Sequence, residues 1–97
     1  PVLATPALVA LMENAAMLAV AAELPEGATT VGVKMDMTHV RPSGGGEEVY
    51  AEATLVEVEG RKLTFSLVAR DSVDVIGEGT HIRYIVDRTK FLSKLKG

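Results

Sequence analysis

The alternation of apolar and polar residues changes rhythm once along this chain. From Pro6 to Glu23, apolar side chains fall on nearly every side of a helical wheel: Leu8, Val9, Leu11, Met12, Ala15, Ala16, Met17, Leu18, Ala19 and Val20. Ala, Leu and Met are strong helix formers, so this segment predicts one long helix. Thr5 followed by Pro6 reads as its start, with the Thr5 hydroxyl as N-cap and proline fixing φ at the first helical position. Leu24-Pro25-Glu26-Gly27 predicts its end. A helix apolar all round must be covered all round.

Beyond Gly27 the period shortens to two. Val31, Val33, Met35, Met37 and His39 alternate with Gly32, Lys34, Asp36 and Thr38. Arg41-Pro42-Ser43-Gly44-Gly45-Gly46 reads as a loop. Val49, Ala51, Ala53 and Leu55 then face one side, with Glu48, Glu52 and Thr54 opposite. Glu59-Gly60 is a tight-hairpin signal, and Leu63, Phe65, Leu67 and Ala69 line the return strand. A turn over Asp71 to Asp74 leads into a strand from Val75 to Asp87, where Gly77 and Gly79 are candidate bulge positions. Lys90 to Lys96 predicts a short terminal helix. One long helix and four hairpin-linked strands imply an α+β domain, an antiparallel sheet curled around a central helix. A sheet covers one side of that helix, so a partner subunit is expected on the other, as a two-fold dimer.

Composition narrows the function classes. There is no Cys, which excludes disulfides, thiolate zinc sites and a cysteine nucleophile. Two His residues are too few for a histidine-rich metal cage, and no metal or cofactor is implied. Aromatic residues make up 4% with no Trp, and the net charge is −3; neither suits a nucleic-acid partner. The longest apolar stretch, Ala15 to Ala22, is too short and too Ala-rich for a membrane span, and no signal-peptide pattern accompanies it. A cytoplasmic protein is the expectation. The chain begins at Pro1 without an initiator Met and reads as a single domain over residues 1–97, trimmed from a longer one.

Three polar residues stand out on this background. Glu13 places a carboxylate inside an apolar helix, at a cost unless it is paired or used; a solvated stripe shared with Asn14 is the plainer reading. His39 shares the apolar strand face, where a hydrogen-bonded core role competes with a proton-shuttle role. Thr5 has a sufficient job as N-cap, yet the helix start it marks offers N–H groups and a positive dipole end to a developing oxyanion. Gly32, within a strand, permits close approach of a ligand. His81 shares a face with Arg83 and Ile85 and reads as structural.

Taken together, the segments Ala4 to Glu13, Thr38-His39, Val58 to Leu63 and Ile76 to Arg83 resemble the hotdog-fold thioesterases, most closely the fluoroacetyl-CoA thioesterase-like branch. The likeness spans essentially the whole chain. It implies a hotdog fold and hydrolysis of an acyl-CoA thioester. Thr5, Glu13 and His39 stand at the spacings of that branch's catalytic set, Gly32 matches its active-site glycine, and Arg83 matches an arginine near the site. The branch's aromatic N-terminal lid has no counterpart here, and Asn14 replaces the aromatic residue that follows its catalytic Glu. These departures bear on fluoroacetyl selectivity, not on thioester hydrolysis.

In the chemistry so implied, the helix start near Thr5 meets the oxyanion, Glu13 acts as base or nucleophile, and His39 relays protons. Arg83 or the Lys90–Lys96 tail would meet the coenzyme A phosphates. Thr5 and Glu13 are eight residues apart, roughly 12 Å along a straight helix, too far for one carbonyl. A site shared between two antiparallel helices of a homodimer is therefore expected. Two rivals remain: a non-catalytic acyl-CoA binding or sensing module, and a hotdog dehydratase acting on a hydroxyacyl thioester.

Overall fold

A computed structural model describes residues 3–44 and 48–95; the Gly45-Gly46 end of the expected loop, Pro1 and Lys96 lie outside them. In chain order the elements are α1 (Thr5–Ala21), β1 (Ala28–His39), β2 (Tyr50–Glu59), β3 (Lys62–Arg70), β4 (Val75–Asp87) and α2 (Arg88–Leu95). The strands form one antiparallel sheet in the order β1-β4-β3-β2, and α1 packs across its face, nearest β2. This is the curled-sheet α+β arrangement expected, with α2 beginning two residues earlier than the sequence suggested.

The core is one stripe of α1 against one face of the sheet. Leu8, Met12, Ala16 and Val20, spaced four apart, are buried against Leu63, Phe65, Leu67, Ala69 and Ile76. Other faces of α1 stay open in the single chain: Met17 and Leu18 are exposed, as are Ala7 and Ala10. Gly27 takes φ +83 just beyond α1, and its carbonyl accepts a bond of 2.8 Å from Arg88 N, closing the Ala28–Asp87 end of the β1–β4 pair.

Three expectations are corrected here. Ala4, extended at φ −75 and ψ 144, is the N-cap of α1, and no side chain caps the helix; Thr5 is its first helical residue and Pro6 its second. Gly77 and Gly79 are not bulges but pair in register with His39 and Met37. Their lack of a side chain answers close approach. A Cβ on Gly79 would meet Asp36 O at 2.3 Å, and one on Gly77 would meet Leu8 Cδ2 at 2.9 Å. The irregularities fall instead at Val33 in β1, Val56 in β2 and Ile76 in β4, each the residue skipped in its register.

The Val33 bulge has the largest consequence for the site. It shifts the side-chain phase of β1, so Val33 is 55% exposed rather than core-facing. Thr30 and Gly32 before it, and Met35, Met37 and His39 after it, all turn toward the helix side.

Candidate active site

Two polar clusters lie along α1 and β1. The first joins the start of the helix to the end of the strand: Thr5 Oγ1 and His39 Nδ1 share a hydrogen bond of 3.0 Å. Thr5 is exposed and His39 half-buried. His39 Nε2 is covered and has no partner among the described residues, a costly state for an imidazole nitrogen that serves only structure. Of the first-turn backbone groups, Pro6 has no N–H and Ala7 N is bonded to Ala4 O at 3.0 Å. The Thr5 N–H makes no bond among the described residues, so it and the positive end of the helix dipole are the polar features that the start of α1 leaves open.

The second cluster sits at mid-helix, over the Val33 bulge. Glu13 Oε2 lies 3.6 Å from Arg83 Nη1, and the Arg83 side chain is only 8% exposed. Arg83 Nε donates to Thr30 Oγ1 at 2.8 Å and Nη2 to Thr30 O at 2.9 Å. Its Nη1 donates to His81 Nε2 at 3.2 Å, which leaves the His81 proton on Nδ1, donated to Lys34 O at 2.7 Å. Burial pushes the Arg83 guanidinium down from its ordinary pKa, and the Glu13 carboxylate opposes that shift. Gly32 closes the cluster. A Cβ there would lie 2.9 Å from Glu13 Oε2, 3.0 Å from His81 Cε1 and 3.3 Å from Arg83 Nη1.

Thus the five residues singled out in the sequence form two groups, Thr5 with His39 and Glu13 with Gly32 and Arg83. Glu13 does not touch His39 within the chain. Arg83 is buried beneath Glu13 rather than placed at a mouth, so it is not free to meet coenzyme A phosphates. The Glu13 side chain is 45% exposed and lies beside the Arg83 cation, so solvent and the guanidinium share it.

A third group, not anticipated from the sequence, braces the first. The Asp71 side chain, 2% exposed, accepts from Val73 N at 2.8 Å and Asp74 N at 2.9 Å through Oδ1. Through Oδ2 it accepts from Arg41 Nη1 at 2.8 Å and Ser43 Oγ at 3.0 Å. These donors hold its carboxyl down at about 2, the turn amides contributing most. Ser43 O in turn accepts from Leu3 N at 2.9 Å. One carboxylate thereby ties the chain just after His39 to the chain just before Thr5. The turn composition of Asp71-Ser72-Val73-Asp74 was the available signal.

Known proteins resemble this chain in sequence and fold over nearly its whole length. The family model described as fluoroacetyl-CoA-specific thioesterase matches residues 1–89. The fluoroacetyl-CoA thioesterase of Streptantibioticus cattleyicolor is 39% identical over 95 residues, covering 98% of this chain and 68% of that protein. A mutant of the fluoroacetyl-CoA-specific thioesterase FlK, solved with fluoroacetate and CoA, superposes with a TM-score of 0.93 at 39% identity, covering 98% of this chain and 74% of the other. A Thermus thermophilus protein described as a thioesterase superfamily member superposes at 0.95 with 26% identity, covering 99% and 71%.

Proposed function

Because the chain belongs to the fluoroacetyl-CoA-specific thioesterase family, we propose that it is an acyl-CoA thioesterase, releasing a carboxylic acid and free coenzyme A. The observation that carries the residue-level reading is the Thr5–His39 hydrogen bond at the start of α1. A hydroxyl held against an imidazole at a helix N-terminus can exchange a proton and face a developing oxyanion at once. In this reading His39 moves the proton at Thr5 Oγ1, and the Thr5 N–H with the α1 dipole stabilises the charge on the thioester oxygen. Water supplies the oxygen that replaces sulfur, and the departing thiolate takes up a proton.

Glu13 joins that chemistry from a second chain. Roughly 12 Å of helix separates it from Thr5, and in its own chain it faces Arg83. A homodimer with antiparallel α1 helices brings the Glu13 cluster of one chain to the Thr5–His39 pair of the other, giving two equivalent sites. The uncovered apolar residues of α1, Met17 and Leu18 among them, and the open edge of β1 favour such a partner. No described helix is long and apolar enough to cross a membrane. A coenzyme A ester as substrate favours a cytoplasmic enzyme.

Free-thiol release across a panel of acyl-CoAs tests the reading. Turnover of any of them supports the hydrolase; tight binding of all without thiol release identifies an acyl-CoA sensing module instead.

A further inference from the structure

We propose that His81 is a positioning residue for the thioesterase chemistry: its Nε2 lone pair sets the Arg83 guanidinium against Glu13 and so fixes that carboxylate over Gly32. The inference rests on the acyl-CoA reading of the site given above. His81 is 1% exposed and pairs in register with Met35 of β1 and Phe65 of β3. The buried Phe65 ring, tilted 33° with centroids 6.5 Å apart, packs beside the imidazole. Packing of that kind asks only for an apolar ring, and two buried nitrogens are a cost unless each is used.

Each nitrogen has one task. Nδ1 meets Lys34 O at 2.7 Å, on the residue directly after the Val33 bulge. Nε2 lies 3.2 Å from Arg83 Nη1, which can only donate, so the ring proton resides on Nδ1. Arg83 needs this acceptor. Its Nε and Nη2 are both bound to Thr30, at one edge of the guanidinium. Nη1 faces Glu13 at 3.6 Å, and His81 Nε2 is its one hydrogen-bond acceptor among the described residues. Nη1 carries two hydrogens; one goes to His81 and the other is left for Glu13.

Glu13 depends on that placement. Its side chain is 45% exposed and has no other ion pair or hydrogen bond among the described residues. The three groups converge over Gly32, where a Cβ would meet Glu13 Oε2 at 2.9 Å, His81 Cε1 at 3.0 Å and Arg83 Nη1 at 3.3 Å. The imidazole edge is therefore part of the floor on which the carboxylate rests. Displacing a reacting group by about an ångström can cost a hundredfold in rate.

Two amides separate the tasks, because Asn presents its polar end near the Nδ1 position and Gln near the Nε2 position. His81→Gln keeps an acceptor for Arg83 and gives up the Lys34 contact; His81→Asn does the reverse. In His81→Asn, kcat for acetyl-CoA is expected to fall by about tenfold or more with KM within about twofold, while His81→Gln stays within about threefold of wild type. In a Glu13→Gln background, His81→Asn should cost less than about twofold, since its effect passes through that carboxylate. The opposite ranking, equal losses in the two variants, or an undiminished loss in the Glu13→Gln background overturns the proposal. Nitrogen-15 NMR reads the same contact without substituting His81. The chain has two His residues, so His39→Gln leaves one imidazole, expected with Nδ1 protonated and Nε2 bare. A ring protonated on Nε2 overturns the proposal. Absence of turnover in the wild type would remove the thioesterase reading, and the NMR would still decide the Arg83 contact.

Discussion

Thr5 Oγ1 stands 3.0 Å from Nδ1 of His39, although thirty-four residues separate the two in sequence. Glu13, on the same helix as Thr5, reaches Arg83 instead. The chemistry expected of the three residues is thereby divided along one chain into a proton-transfer pair and a carboxylate–guanidinium pair.

Removing the hydroxyl tests the first pair. Thr5→Val keeps the side-chain shape and is not asked to replace a cap, since Ala4 occupies that position. Its kcat is expected to fall by about a hundredfold or more, on the scale of other oriented acid–base and oxyanion groups, with the melting temperature within a few degrees of wild type. His39→Gln should abolish the limb of the kcat/KM–pH profile assigned to the imidazole. A profile of unchanged shape would return His39 to a purely structural role.

Glu13→Gln tests the second pair, and stability moves with it. Arg83 is buried and its charge is compensated by Glu13, so neutralising the carboxylate leaves an unbalanced cation. The variant is expected to lose thioester hydrolysis by about a hundredfold and also to melt several degrees lower. Equal melting temperatures would show that Arg83 is sufficiently held by Thr30 and His81.

Gly32→Ala should injure the same cluster without touching a charge. The added Cβ would lie 3.0 Å from the buried His81 ring and 2.9 Å from Glu13 Oε2, and the Glu13 side chain is the freer of the two to move. Its carboxylate is pushed off Arg83, and kcat is expected to drop by about tenfold. A structure of the variant with Glu13 in place would contradict this.

Much of this arrangement was readable before any coordinates. Leu63, Phe65, Leu67 and Ala69 alternate cleanly, and β3 buries those four. Thr5, Glu13 and His39 were visible as polar residues in apolar surroundings and as a familiar spacing. Local pattern failed where a tertiary contact overrode it. Strict alternation put Val33 inside and Gly32 outside, and a single inserted residue reversed both. Gly77 and Gly79 resembled bulges because glycine in a strand has two explanations, and only the approach of Leu8 and of β1 distinguishes them. Asp71 gave no sign beyond a turn composition, since its donors Arg41 and Ser43 lie about thirty residues away.

Asp71 carries the clearest pH signature. Its carboxyl is held at about 2 against an ordinary 3.8, so its contribution to stability is complete above about pH 4 and is lost as pH falls toward 2. Urea midpoints measured between pH 6 and pH 2.5 should decline through that window, and more shallowly in Asp71→Asn, which starts from a lower midpoint. Parallel declines in the two proteins would assign the acid sensitivity to other carboxylates.

The proposed division of the site between chains is tested most directly by complementation. Thr5→Val and Glu13→Ala subunits, each inactive as a homodimer, are mixed under conditions that exchange chains, and free-thiol release is followed. A heterodimer then contains one site in which both residues are intact, Thr5 from one chain and Glu13 from the other. Activity should rise from the level of either parent to about half that of wild type per heterodimer. Heterodimers that form, as shown by mass spectrometry of the intact assembly, and yet recover no activity would contradict the shared site.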